Sequence, residues 1–221
     1  LTVRSRIGKR TRTLIASLTQ MKGRCRMVSH QELSRLCAES YTSSDFEEAN
    51  IEVIVKSYDD GVAFAFRGTD EPWDVATDIR CWPWYVKEVG FAPRGFALAA
   101  RRMLPKVMSW CLEHDIDPKD DGLILTGHSL GGSVALLVAS LACRHELYPK
   151  QVVTFGAPKS GRLKILEDNN IDVSSYRNGR DIVPMVPPLA RRHGKLIESG
   201  EKNGLISDHY AKQYVRMKKH D

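Results

Sequence analysis

The stretch Thr126-Gly127-His128-Ser129-Leu130-Gly131-Gly132 decides the fold that we predict for this chain. It follows a short apolar run at 123–125 and precedes a longer apolar segment at 134–142. A G-x-S-x-G sequence between a strand and a helix indicates a nucleophile elbow, a sharp turn that raises a serine hydroxyl clear of a sheet. The alternative is a glycine-rich strand–helix turn in which the serine is incidental.

The glycines of this motif have a steric role in such an elbow. The serine has strained backbone geometry and the strand and helix nearly collide beside it, so Gly127 and Gly131 must be small. The turn also places the amide of Leu130 at a helix N-terminus, where backbone N–H groups favour negative charge. The motif therefore predicts a site for acyl transfer.

Composition indicates one globular domain. The chain has 221 residues, of which 42% are hydrophobic, and this fits a single domain with a sizeable core. The net charge is +6, but residues 1–26 contain eight Lys and Arg and no acidic residue, so the rest of the chain carries −2. Because the basic excess belongs to the N-terminus, no nucleic-acid partner is expected.

Residues 1–26 are predicted to be a basic N-terminal extension outside the core, and 27–221 to be the domain. The extension fits a solvated tail, translated sequence upstream of a natural start, or a transit-like or membrane-surface segment. No apolar run approaches the roughly 18 residues of a membrane span. No signal peptide is recognisable, so a cytoplasmic location is the default, with secretion by another route left open. The five cysteines have no metal-binding spacing and are interpreted as reduced thiols.

Strands and helices alternate along the chain. Ser29 and Glu32 fit the capping box of a helix that runs to about Tyr41, and Asp59-Asp60-Gly61 joins two β-branched runs, 51–58 and 62–67, in a hairpin. Helices are also predicted at 95–113, after the elbow and at 210–218, and strands at 151–155, 173–177 and 195–199. The pattern is typical of an α/β fold with a mostly parallel sheet flanked by helices.

A serine nucleophile needs a histidine base, and two histidines lie in loops after the elbow. His209 comes after the last predicted strand and before the closing helix, where it would face the carboxyl ends of the strands. His193 has basic neighbours at 191, 192 and 195, which would disfavour the imidazolium that catalysis forms. We therefore favour His209 as the base. His128 adjoins the serine but would point elsewhere, so we assign it to packing.

The histidine in turn needs a carboxylate that orients it. Asp181 directly follows the strand at 173–177 and lies 52 residues after Ser129. Asp172 precedes that strand, at the wrong edge of the sheet, and Asp208 is too near His209 in sequence to orient its ring. Asp181 is therefore the predicted acid, and its alternative role is an Asx turn before the prolines that follow.

Five blocks in order resemble the class 3 lipases, the fungal-type triacylglycerol lipases of the α/β-hydrolase fold. They are Phe66-Arg67-Gly68-Thr69, the elbow, Thr154-Phe155-Gly156-Ala157-Pro158, Asn178-Gly179-Arg180-Asp181-Ile182-Val183-Pro184 with Pro187-Pro188, and Asp208-His209 with Tyr214. The resemblance implies a triad of Ser129, Asp181 and His209, and an oxyanion hole made by the amides of Thr69 and Leu130.

In that family the segment after the Arg-Gly-Thr block forms a lid. Here it is 70–93, which we expect to be irregular and which contains Trp73, Trp82, Trp84 and Tyr85. Such aromatic residues suit a flap that covers an acyl groove and meets lipid when open, or serve as ordinary core anchors. One departure is Pro93, which stands where the family usually has a histidine, and it affects the packing beside the lid.

The expected activity is hydrolysis of carboxylic esters of lipids through an acyl-enzyme, with no metal or organic cofactor. The substrate would be a lipid or small ester, in some cases met at a lipid–water interface. A short-chain carboxylesterase, a phospholipase A1 or a lysophospholipase would use the same residues. A non-catalytic lipid- or protein-binding homologue is a further alternative. The sequence does not indicate an oligomeric state.

Overall fold

The computed structural model describes residues 27–69, 83–86, 90–188 and 190–216. Nine strands lie in this part of the chain: β1 (Phe46–Glu48), β2 (Ile51–Tyr58), β3 (Gly61–Phe66), β4 (Pro83–Val86), β5 (Gly90–Pro93), β6 (Leu123–His128), β7 (Gln151–Phe155), β8 (Val173–Asn178) and β9 (Leu196–Ser199). Five α-helices accompany them: α1 (His30–Glu39), α2 (Arg94–Glu113), α3 (Leu130–Arg144), α4 (Lys164–Asp168) and α5 (Ala211–Val215).

Seven of the strands form one sheet in the order β1-β2-β3-β6-β7-β8-β9. The pairs β1–β2 and β2–β3 are antiparallel, and every pair from β3 to β9 is parallel. The predicted hairpin across Asp59-Asp60-Gly61 is confirmed, since Tyr58 pairs with Gly61. The mostly parallel α/β sheet predicted from the sequence is therefore confirmed.

Strands β3 and β6 lie at the centre because their sequences are almost continuously apolar. Both are buried at every residue, as expected for parallel strands covered by helices on both faces. On one face, α2 and α3 enclose the larger core, which includes Phe64, Leu125 and Met103. On the other face, α1 packs against α5, and Leu33 and Tyr214 meet Phe155 there.

Helix α3 begins immediately after the strand that precedes it, which is the geometry predicted for the elbow. Its residues from Gly131 to Cys143 are all buried, so nearly its whole circumference contacts protein. A helix that is apolar all round is stable only in the interior. Ser129 is therefore supported from behind by the most deeply packed helix of the described fold.

Two predictions of secondary structure differ from the structure. Residues 70–93 were expected to be irregular, but β4 and β5 form an antiparallel hairpin in which Tyr85 pairs with Phe91. Apolar and polar residues alternate only weakly there, so the pattern does not predict strands. The closing helix was expected at 210–218, whereas α5 ends at Val215.

Several predictions lie outside the described residues. They concern the basic extension 1–26, the aromatic residues Trp73 and Trp82, the cysteines at 25 and 81, and the end of the closing helix at 217–218. Among the residues that are described, no helix has both the length and the apolar character needed to cross a membrane. The three described cysteines, Cys37, Cys111 and Cys143, are buried free thiols, and burial raises the pKa of Cys37 to about 12.

Candidate active site

Ser129 occupies the junction of β6 and α3 in a strained conformation. Its φ of 55° and ψ of −130° lie in a region that residues with a side chain rarely adopt. Its amide donates a hydrogen bond to the carbonyl oxygen of Phe155 at 2.9 Å, which ties the turn to β7. Such strain persists only where the surroundings enforce it, and it is concentrated at functional sites.

The glycines of the elbow explain how the turn closes. A Cβ on Gly127 would lie 2.5 Å from the backbone carbonyl carbon of Gly131, and a Cβ on Gly131 would run into the carbonyl oxygen of Phe66. Both obstacles are backbone atoms that cannot turn aside as a side chain would. The close approach of β3, β6 and α3 at Ser129 therefore requires glycine at these positions.

The structure brings Ser129, His209 and Asp181 into one chain of hydrogen bonds. The Ser129 hydroxyl lies 2.8 Å from Nε2 of His209, and Nδ1 of the same ring lies 2.8 Å from Oδ2 of Asp181. A carboxylate only accepts hydrogen bonds, so Nδ1 carries the proton and Nε2 is left to accept from the serine. All three side chains are buried.

Asp181 is held by two further donors. The amide of Val183 donates to Oδ1 at 2.9 Å, and the Tyr214 hydroxyl donates to Oδ2. The same hydroxyl accepts from the amide of Asn178 at 3.1 Å, so it joins β8 to the carboxylate. Burial and the neighbouring carboxylate raise the pKa of Tyr214 well above its usual value, which keeps the hydroxyl protonated as a donor.

The loop that carries His209 is fixed by the carboxylate beside it. Asp208 accepts hydrogen bonds from the amides of Arg180 at 2.8 Å and Asn203 at 3.1 Å. Burial raises the pKa of Asp208, but the hydrogen bonds it accepts outweigh that effect and lower the pKa overall. Asp208 was not the acid predicted for the triad. In the structure it connects two loops through the amides of Arg180 and Asn203.

A second histidine, His128, is hydrogen-bonded to the backbone of His209. His128 Nε2 lies 2.6 Å from the carbonyl oxygen of His209, and its Nδ1 lies 2.6 Å from the hydroxyl of Tyr41. The rings of the two histidines are 4.8 Å apart between centroids. Burial first, and then repulsion from His209, lower the pKa of His128 well below its usual value, so this ring is neutral. Because a carbonyl only accepts, Nε2 is the protonated nitrogen and Tyr41 donates to Nδ1.

Replacement of His128 by asparagine is expected to reduce the acid sensitivity of the fold. Below about pH 6.5 the unfolded chain protonates His128 while the folded chain resists, so stability falls as the pH falls. In that window the free energy of unfolding of the variant should depend less steeply on pH than that of the parent, by up to about 1.4 kcal/mol per pH unit. Urea unfolding across the window measures this slope, and equal slopes for both proteins would contradict the assignment.

The residues of the expected oxyanion hole belong to two segments that lie close to Ser129. Leu130 is the first residue of α3, so its amide is one of the unpaired donors at the helix N-terminus. Thr69 follows Gly68, and a Cβ on Gly68 would lie 2.7 Å from Cβ of Ser129 and from the carbonyl oxygen of His128. The backbone that leads to Thr69 therefore passes directly against the serine.

A cavity of about 300 Å³ opens beside the triad. It is lined by Ala38, Tyr41, Thr69, His128, His209, Tyr210, Ala211 and Lys212. Its walls come from α1, the segment after β3 and the start of α5. The cavity has room for part of a small organic ligand next to His209, although Ser129 itself has no exposed surface.

The remaining predicted site residues are only partly described. Trp84 lies in β4, of which the backbone alone is described, and Tyr85 is 60% exposed. The alternative base His193 is buried, with its Nδ1 4.0 Å from Glu167, and does not take part in the triad. Burial is the main cause that lowers the pKa of His193, and the cation that lowers it further is Arg162, not a basic neighbour at 191, 192 or 195.

Sequence reasoning missed Tyr41 and gave no role to Tyr214. Tyr41 follows α1, far from the elbow in sequence, and no local pattern indicates that it meets His128. Tyr214 was noted as part of a motif without a contact. In the described ranges, no group of three or more His, Cys, Asp or Glu side chains is arranged to hold a metal ion.

A parallel sheet with a strained serine between its central strand and the following helix defines an α/β-hydrolase. The family model described as lipase (class 3) matches residues 63–191, more than half of the chain. This protein therefore belongs to the class 3 lipase family.

In sequence, the chain is 31% identical over 103 residues to phospholipase A1-Igamma2, chloroplastic, of Arabidopsis thaliana. The match covers 41% of this chain, and the chain spans only about a fifth, 20%, of the length of that curated relative.

In structure, the chain is similar to the native Rhizomucor miehei lipase propeptide complex, with a TM-score of 0.61 and 21% identity over 79% of this chain and 70% of that one. It is also similar to lipase II from Rhizopus niveus, with a TM-score of 0.59 and 23% identity over 82% of this chain and 84% of that one. At these identities the similarity shows the fold.

The prediction of a cytoplasmic location is wrong by these comparisons. The sequence relative is named a chloroplastic protein. The prediction depended only on the lack of a recognisable signal peptide in the printed residues, and a missing signal is no basis for assigning a compartment.

Proposed function

We propose that this protein hydrolyses carboxylic esters of lipids, with Ser129 as nucleophile, His209 as general base and Asp181 as the residue that orients the base. The observation that carries this proposal is the pair of 2.8 Å hydrogen bonds from Ser129 to His209 and from His209 to Asp181. Membership of the class 3 lipase family supports the same reaction class.

In the first half of the reaction, the Ser129 oxygen attacks the ester carbonyl carbon while Nε2 of His209 takes its proton. Asp181 stabilises the imidazolium through the hydrogen bond at Nδ1. The tetrahedral intermediate then collapses, the C–O bond to the alcohol breaks, and Nε2 returns the proton to the departing oxygen. Water attacks the acyl-enzyme with His209 again as base, and the acid is released.

The oxyanion of the intermediate would accept hydrogen bonds from the amides of Leu130 and Thr69. The helix N-terminus at Leu130 and the tight passage of Gly68 against Ser129 support this assignment. Each such donor contributes about 3 kcal/mol at the transition state. The aromatic segment with Trp73, Trp82, Trp84 and Tyr85 is proposed as the lid and lipid contact, supported by the exposure of Tyr85.

A phospholipid cleaved at its sn-1 ester is the second candidate substrate beside a triacylglycerol. It is favoured by the sequence relative, which is a phospholipase A1, whereas the lipases similar in structure are below 25% identity. Both substrates would present one acyl ester to the cavity beside His209. We further propose 27–221 as the hydrolase domain and 1–26 as an extension outside its core.

A long-chain fluorophosphonate is expected to label the purified protein on Ser129 and to abolish ester hydrolysis. The phosphorus should be attacked in place of the carbonyl carbon, and peptide mass spectrometry identifies the modified residue. In parallel, triacylglycerol and a phosphatidylcholine with different sn-1 and sn-2 chains identify the substrate by the fatty acid released. An adduct on another serine, or none, would contradict the proposed nucleophile.

A further inference from the structure

The two loops that carry Asp181 and His209 form one continuous surface at the carboxyl ends of the strands. The amide of Ile182 donates to the carbonyl oxygen of Leu205 at 3.2 Å. The Asp208 carboxylate accepts from Arg180 in one loop and Asn203 in the other. Segments 179–188 and 200–212 therefore lie side by side over the base and the acid of the triad.

This surface combines exposed apolar and exposed cationic side chains. Met185 is 40%, Leu205 52% and Tyr210 54% exposed. Exposed basic residues lie in the same two segments, and we name the six together the basic rim: Arg180, Met185, Lys202, Leu205, Tyr210 and Lys212. Within the described part of the chain, none of these three cations forms an ion pair with a carboxylate. Apolar side chains grouped in this way on a surface mark an interaction site.

The charge of the molecule is distributed unevenly along the strand direction. The two segments 179–188 and 200–212 contain three Lys and Arg and three Asp and Glu. Two of those acids, Asp181 and Asp208, are buried, so Glu201 is the one exposed acid of the two segments. The turns at the opposite edge of the sheet are acidic on balance, with six aspartates beside Lys119 and Lys150: Asp59, Asp60, Asp115, Asp117, Asp120 and Asp121. A negatively charged surface would therefore attract the edge that carries the triad and repel the opposite edge.

We infer that the basic rim docks the protein onto a membrane that contains anionic phospholipid headgroups. The three apolar side chains enter the boundary of the acyl chains while the cations contact headgroup phosphates, the division of roles used by interfacial proteins. The cavity beside His209, lined by Tyr210 and Lys212, then opens towards the lipid. This inference depends on the proposed lipid ester hydrolysis and adds the kind of surface on which it occurs.

The test measures vesicle binding separately from hydrolysis. The full chain with Ser129→Ala, which leaves the lipids intact, is floated with vesicles of phosphatidylcholine alone or mixed with phosphatidylglycerol. The expected result is binding to the mixed vesicles that weakens with salt. Adding Arg180→Glu and Lys202→Glu should weaken it by at least about thirtyfold, because each lost cation contributes about fivefold and repulsion by the glutamates adds to the loss.

Matched controls lie at the opposite edge of the sheet. Lys119→Glu with Arg144→Glu makes the same change in net charge at exposed positions and leaves residues 1–26 unaltered, so binding should stay within about twofold of the parent. For the apolar contribution, Leu205→Ser should lower binding about tenfold. Leu112→Ser, at a position 79% exposed, should not change it. Thermal unfolding of each variant excludes loss of structure.

The inference would be overturned if the Arg180/Lys202 variant and the Lys119/Arg144 variant bound the mixed vesicles equally well. It would also be overturned if the Ser129→Ala parent bound neutral and anionic vesicles equally well. Hydrolysis of a soluble monomeric ester by the unaltered chain is measured independently. Absence of that hydrolysis would contradict the proposed function without deciding the vesicle result, so the two failures are distinguishable.

Discussion

Replacement of Ser129 by alanine is expected to lower kcat/KM for a soluble ester by about 10⁵-fold to 10⁶-fold. The substitution removes the atom that would form the acyl-enzyme and leaves the donors of the oxyanion hole in place, so weak catalysis of direct attack by water remains. The loss should appear in kcat, because the cavity beside His209, where the substrate is proposed to bind, is not altered. A fluorogenic ester assay with active-site titration measures it.

Ser133→Ala is the matched control for this prediction. Ser133 is also a buried serine of α3, one turn after the elbow, and its hydroxyl donates to the carbonyl oxygen of Pro158 at 2.9 Å rather than to the triad. Its removal should cost about 1 kcal/mol of stability and little activity. If the two variants kept similar activity, Ser129 could not be the nucleophile.

Asp181→Asn is expected to lower kcat by about 10⁴-fold while the protein stays folded. The amide can donate to Nδ1 of His209, which favours the tautomer with the proton on Nε2, and that nitrogen then cannot accept from Ser129. The hydrogen bond from Val183 to Oδ1 of the side chain is retained, so the loop keeps its support. Steady-state kinetics across pH, together with a melting curve, separates the chemical effect from unfolding.

The matched control for Asp181→Asn is the same substitution at Asp208. Asp208→Asn changes a buried side chain that contacts backbone amides of Arg180 and Asn203 and does not touch the imidazole. It should lower the free energy of unfolding by about 1–3 kcal/mol and reduce kcat far less than Asp181→Asn. An Asp181→Asn variant no less active than Asp208→Asn would remove Asp181 from its proposed role.

The parts of the fold predicted from the sequence follow from local rules. The elbow could be predicted because its glycines are required by contacts between residues a few positions apart, as with Gly127 and Gly131. Asp181 and His209 could be placed near Ser129 because each follows a strand of a parallel sheet, and the carboxyl ends of such strands lie at one edge. The structure brings these three residues together, and their catalytic roles remain our proposal.

The parts that could not be predicted depend on contacts between distant segments. Nothing around Tyr41 indicates that its hydroxyl meets His128, 87 residues later in the chain. The hairpin of β4 and β5 has no strong alternation of apolar and polar residues. His128 was assigned to packing because the elbow turns its side chain away from Ser129, and the sequence does not indicate which group the ring contacts instead. Its hydrogen bond to the backbone of His209 exists only once the segment before α5 has packed against the end of β6.

The hydrogen bonds of Tyr41 and Tyr214 connect the candidate site to both ends of the described chain. During synthesis, Ser129 emerges from the ribosome long before His209 and Tyr214, and α1 must wait for α5 to complete the core they share. A nascent or prematurely terminated polypeptide would thus have the proposed nucleophile without its proposed base. Under the proposed function, hydrolytic competence would therefore be acquired late in biogenesis, and shortened translation products would not attack the membranes near which they are made.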